Sequence, residues 1–80
     1  MDLIIHYSVE RGFEDEALSL ARRLYAHFDE AIDSLALIPV NGEDLDLFLD
    51  GQLVCSLSQS GRTPRVADVR QRVGEGVVDM

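Results

Sequence analysis

Leu3-Ile4-Ile5-His6-Tyr7-Ser8-Val9-Glu10-Arg11-Gly12-Phe13 is the stretch on which the fold turns: an apolar run, a short polar connection and the opening of a helix. Leu3, Ile4 and Ile5, with Tyr7 close behind, have the continuous apolar character of a short strand buried on both faces, and therefore of a central strand that ends near Ser8. From Phe13 to Phe28 the apolar residues Ala17, Leu18, Ala21, Leu24, Tyr25 and Phe28 recur at helical spacing. Glu14, Asp15, Arg22 and Arg23 are left for the wet side.

Working outward, Ile32 to Ile38 is rich in aliphatic residues and stops at Pro39, which reads as a second strand. A helix between two strands makes them a parallel, right-handed pair. Asn41-Gly42 marks a turn. Asp44 to Leu49 and Gln52 to Leu57 then flank Asp50-Gly51, a two-residue hairpin signal. In that hairpin Leu49 is expected opposite Gln52, Leu47 opposite Val54 and Leu45 opposite Ser56, so that Leu45, Leu47, Leu49 and Val54 share the face toward the helices. The other face carries Asp44, Asp46, Phe48, Leu53, Cys55 and Leu57. It is apolar enough that Phe48, Leu53 and Leu57 are expected at an interface, with a second copy of the chain as one candidate occupant.

Thr63 is placed at the N-cap and Pro64 at the first position of a last helix, with Val66, Val69 and Val73 as its apolar stripe and Gly74 and Gly76 as its stop. The expected architecture is an α/β two-layer sandwich, β-α-β-β-β-α, with sheet order 2-1-3-4 and two helices on one face, in one domain over residues 1–80.

Eighty residues bury only about 60 to 65 percent of their unfolded surface, so the core is small. Hydrophobic residues at 46% and charged residues at 28% lie in the globular range. The net charge of −8, from 15 acidic residues against 7 arginines, repels phosphate backbones and anionic lipid. Neither a nucleic acid nor a membrane is therefore expected as partner; the acidity serves solubility or a basic protein partner. A single cysteine excludes an internal disulfide, no secretory-type segment opens the sequence, and no apolar run approaches the roughly 20 residues of a bilayer span. The expected location is the cytoplasm.

Several strings together give a closer resemblance. Tyr7 before a four-residue window and Gly12-Phe13, Ala36-Leu37-Ile38-Pro39, Asn41-Gly42, Leu45-Asp46-Leu47, Asp50-Gly51-Gln52-Leu53-Val54-Cys55-Ser56 and Gly61-Arg62-Thr63-Pro64 look like the selenoprotein W-like (Rdx) family, over roughly residues 3 to 75. The resemblance implies a thioredoxin-like fold and, in members that carry it, a Cys-x-x-Cys or Cys-x-x-selenocysteine motif in the first strand–helix loop. Here the two motif positions are Ser8 and Arg11. A serine hydroxyl is barely ionised at neutral pH and cannot enter thiol–disulfide exchange, and an arginine supplies no nucleophile. Glu14-Asp15-Glu16 at the helix start, ordinary helix-stabilising residues, would also oppose a thiolate there.

No catalytic residue, cofactor or metal site is assigned. Cys55 is the only thiol, and its expected hairpin partner, Asp46, disfavours a thiolate; it reads as structural, with a reactive thiol as the alternative. His6 and His27 lack the companions of a metal site. Ser8 and His6 lack a nucleophile elbow, and Gly42-Glu43 and Gly61-Arg62 match no phosphate-loop spacing. What remains is a candidate binding surface of Ser8, Glu10, Arg11 and Gly12 with the loop holding Arg62, Thr63 and Pro64. The reading is a redox-inactive domain, not an enzyme, that acts through an unidentified protein partner; the alternative is a thiol-dependent redox protein using Cys55.

Overall fold

Alternation along the first strand places Leu3 and Ile5 on one face, and both are completely buried. The computed structural model describes residues 1–78, with side-chain surroundings through residue 73. Strand β1 (Asp2–Ser8) leads to helix α1 (Glu14–Phe28) and a single 3₁₀ turn (Asp29–Ala31). Strands β2 (Ser34–Val40), β3 (Leu45–Leu49) and β4 (Gln52–Ser56) follow, then the one-turn helix α2 (Leu57–Ser60) and helix α3 (Val66–Val78). The sheet order is β2-β1-β3-β4, with β1 and β2 parallel and the other neighbours antiparallel. This is the mixed α/β, thioredoxin-like arrangement expected, with α2 as an additional helix.

The core joins Leu3 and Ile5 of β1 and Leu45 and Leu47 of β3 to Ala17, Leu20, Ala21 and Leu24 of α1 and Val69 of α3. Leu20 replaces two residues assigned to the buried stripe: Leu18 and Tyr25 are 39% and 59% exposed. The positions 17, 20, 21 and 24 form the i, i+3, i+4, i+7 set, and Leu18 and Tyr25 lie on its flank.

Several boundaries differ from expectation. Strand β2 continues through Pro39 to Val40, which an edge strand allows because a proline there need not break a shared ladder. Strand β4 stops at Ser56, and Leu57 opens α2 and packs against the core, so it is not part of the open sheet face. Helix α3 begins at Val66, not at Pro64. The backbone amide of Arg65 donates to Asp68 Oδ2 at 2.8 Å, so a carboxylate three residues into the helix, not Thr63, satisfies the amide at its start. Gly74 and Gly76 do not end α3, since each glycine costs a helix only about 1 kcal/mol; of the expected tail, residues 79–80 lie outside the described residues.

The hairpin turn forms at Asp50-Gly51, both with positive φ (50° and 84°), as a turn matched to strand twist requires. Leu49 opposes Gln52 as expected, and Phe48 opposes Leu53. The register then shifts: Leu47 opposes Cys55 and Asp46 opposes Ser56. Val54 is the extra residue of a β-bulge, so Cys55 does not face Asp46. The cause lies in the three consecutive apolar residues Leu53-Val54-Cys55. A regular strand would send Cys55 to the face of Leu53, whereas the bulge lets Val54 pack on the core and Cys55 lie buried at 7% exposure.

Candidate functional site

Ser8 ends β1 and is fully buried. Its Oγ donates to the carbonyl of Gly42 at 2.6 Å and accepts the amide of Arg11 at 2.9 Å. The amide of Ser8 donates to the Asp44 carbonyl (3.1 Å), and the amide of Phe13 donates to the Ser8 carbonyl (3.0 Å). The turn between them closes through the Gly12 amide on the Val9 carbonyl at 3.1 Å, with Gly12 at φ 70°, a conformation other residues reach only with strain. The Ser8 hydroxyl, where the resemblance implied the first motif residue, is therefore engaged as both donor and acceptor. No imidazole serves it as a base: His6 packs its ring on Phe48 at a centroid distance of 4.8 Å.

Arg11, where the resemblance implied the second motif residue, is exposed and lays its guanidinium over the Phe13 ring, 5.5 Å from the centroid. Glu10 is exposed. Beside Arg11 is an open depression lined also by Glu43, Asp44, Leu57 and Ser58. Thr63 and Pro64 line a different depression, against Asp15, Glu16 and Arg23 of α1. Of the residues assigned to one binding surface, Arg11 lines one hollow, Thr63 and Pro64 line another, and Glu10, Gly12 and Arg62 line neither.

Sequence reasoning did not find the residue that organises this end of the sheet. Asp44 Oδ1 accepts the amides of Leu45 (2.8 Å) and Ser58 (2.9 Å), and its Oδ2 accepts the hydroxyls of Ser56 (2.7 Å) and Ser58 (2.5 Å). Burial pushes this carboxyl up, but the bonds from the Ser58 and Ser56 side chains and from both amides outweigh it. They hold Asp44 far below the usual carboxylate range.

Arg62 is likewise committed. Its guanidinium forms a bidentate pair with Asp68, at 3.0 and 2.6 Å, and Nη1 lies 3.8 Å from Cys55 Sγ. The same sulfur lies 3.5 Å from Ser60 Oγ. Asp68 is 8% exposed, and the bonds from Arg62 hold it below the ordinary carboxylate range against the effect of burial. Cys55 is thus covered by an ion pair that links the loop before α3 to its first turn. The carboxylate at the third position of a helix was the one available signal for Asp68.

On the sheet face away from α1 and α3, the observed register aligns residues into rows across all four strands. Ala36, Ile4, Phe48 and Leu53 form one row; Ile38, His6, Asp46 and Ser56 form the next. None of the five apolar members belongs to the core or packs against it. Phe48 and Leu53 stand together here as expected, while Leu57 is elsewhere. Burial, with the charge of Asp44 adding to it, raises the pKa of Asp46 above the ordinary carboxylate value, against hydrogen bonding from Ser56 and the nearby His6.

A family model described as the Rdx family matches residues 2–75. Among solved structures, a selenoprotein W-related protein from Vibrio cholerae is 26% identical and superposes with a TM-score of 0.81, covering 92% of each chain. A protein from Bordetella parapertussis is 21% identical with the same TM-score of 0.81, covering 94% of this chain and 95% of its own, a likeness of fold. Comparison with curated proteins gives no match. Among the described residues no helix is long and apolar enough to cross a membrane.

Proposed function

Since this chain belongs to the Rdx family, its function has to be sought in a thioredoxin-like scaffold without the paired thiols, and we propose that it is a redox-inactive domain working through protein contacts. The observation that carries this reading is the state of Ser8. The first motif position holds a buried hydroxyl that joins the Arg11 amide to the Gly42 carbonyl, so the loop is built around a structural bridge where exchange chemistry needs an accessible thiolate. Cys55 offers little substitute: it is 7% exposed and sits beneath the Arg62–Asp68 pair.

The test is a thiol–disulfide exchange assay with glutathione disulfide and a small mixed disulfide as substrates. The native chain and Cys55→Ser should both leave the uncatalysed rate unchanged. Turnover by the native chain that Cys55→Ser abolishes would establish the thiol-dependent alternative. The double variant Ser8→Cys/Arg11→Cys shows what the same scaffold does once both thiols are supplied.

A further inference from the structure

We propose that the sheet face away from α1 and α3 docks a basic amphipathic helix of a partner protein, its apolar stripe on the row Ala36, Ile4, Phe48 and Leu53 and its Lys or Arg flanks against the carboxylates on either side. The inference rests on protein contact being the activity, and it names the surface and the chemistry of the occupant.

The row crosses all four strands, a width of about 14 Å at the usual strand spacing. About ten residues of helix have that length. Two residues along the strands to one side lies the row of His6 and Asp46; two residues to the other side lies Asp2, opposite Ser34. Each flank is therefore about 6 to 7 Å from the apolar row, which matches the lateral reach of side chains from a helix about 10 to 12 Å across.

The charge pattern selects the sign of the partner. No strand carries an arginine: the seven lie on α1, on α3 or in the loops at Arg11, Arg62 and Arg65. The face therefore presents an apolar row between carboxylates, with His6 as its sole basic side chain. Asp46 is already disfavoured as an anion by burial and by Asp44, and an incoming cation relieves that cost. A second copy of the chain fits less well, because it brings the same acidic rows and another net charge of −8 to a surface without arginine.

The probe is a synthetic helical peptide with leucines on one face and lysines on both flanks, alongside a twin with glutamates in place of the lysines. Amide shifts of the isotope-labelled protein are followed by NMR at low and physiological salt. The lysine peptide should shift amides of the Ile4, Ala36, Phe48 and Leu53 row saturably and more weakly as salt rises, and the glutamate twin should not. Leu53→Lys should weaken binding about tenfold or more, the loss expected when an apolar contact is replaced by a like charge. Ile38→Lys, at a more exposed position, repeats the test if Leu53→Lys fails to fold.

No shift, or shifts at Glu14, Asp15 and Glu16 that Leu53→Lys leaves unchanged, would overturn the proposal. So would a dimer of the peptide-free protein, seen by sedimentation, that Leu53→Lys disperses, since a second copy would then own the face. Thiol turnover belongs to a different assay, so failure of the functional reading and failure of this docking surface are distinguishable.

Discussion

The carboxylate of Asp44 holds Ser58 twice, accepting its backbone amide at 2.9 Å and its hydroxyl at 2.5 Å. Ser58 lies in the first turn of α2, whose N-cap residue, Ser56, makes no side-chain capping bond of its own. Asp44 therefore caps α2 from within the β2–β3 loop. It also accepts the Ser56 hydroxyl, so one side chain joins that loop, the end of β4 and α2. Asp44→Ala should cost about 2 to 3 kcal/mol, because a charged acceptor is removed from several donors, and Asp44→Asn about 1 to 2 kcal/mol. Urea unfolding of both variants measures this; a loss below about 0.5 kcal/mol for the alanine variant would show that water satisfies those donors equally well.

The same network sets an acid limit. Asp44 and Asp68 have folded-state pKa values below their unfolded ones, so each favours the folded chain above the unfolded value of about 4 and loses that contribution as pH falls through it toward the folded value. The stability difference between the native protein and Asp44→Asn should be largest near neutral pH. It should shrink steadily as pH falls from about 5 to 2. Thermal unfolding across that range checks it; a constant difference would place the stabilisation outside the ionised carboxylate.

Ser8→Ala leaves the Arg11 amide and the Gly42 carbonyl without the hydroxyl that joins them, in a position with no exposed surface. The expected cost is about 1 to 3 kcal/mol. Amide hydrogen exchange should rise at Arg11 more than at core positions such as Leu3 or Leu24. Uniform acceleration would mean that the loop opens only with the whole molecule.

These residues show why fold and site were unequally legible. The Asp50-Gly51 turn and the parallel β1–β2 pair rest on short-range signals: two adjacent turn residues in one case, a helix between two strands in the other. The bulge at Val54 was not visible, because three apolar residues in succession fit either face of a strand and the choice was made by packing beneath α3. Expecting Cys55 opposite Asp46 followed directly from assuming a regular ladder. The Asp44–Ser58 contact joins residues in separate elements, and nothing local in Asn41-Gly42-Glu43-Asp44 marks it as more than a turn. Ser8 was singled out for the thiol it lacks; its burial and two hydrogen bonds depend on the later Gly42 loop closing over it.

Cys55 should react slowly with a thiol probe in the native protein and rapidly once unfolded, given its 7% exposure and the guanidinium 3.8 Å from its sulfur. Arg62→Ala removes that cover and leaves the buried Asp68 without its bidentate partner, so labelling should become faster and the start of α3 less protected from exchange. Arg62→Lys should fall between, since an ammonium keeps the charge but not the fork. Equal labelling rates in all three proteins would show that access to Cys55 is governed by global unfolding.

Asp46 has the opposite pH sign to Asp44. Its folded-state pKa is raised by burial and by the neighbouring Asp44, so stability falls as pH rises from the unfolded value of about 4 to the folded value and stays lowered by a constant amount above it. Asp46→Asn should therefore be neutral or stabilising by roughly 0.5 kcal/mol near neutral pH and should lose that advantage in acid. On the docking face the same substitution removes one of the carboxylates that flank the apolar row. It should weaken the lysine peptide and flatten the salt dependence of its binding. A variant that is no less stable and yet binds less well separates a carboxylate kept for contact from one kept for the fold. Unchanged affinity with the same salt slope would remove Asp46 from the contact, and a loss of stability at neutral pH would make it a structural residue.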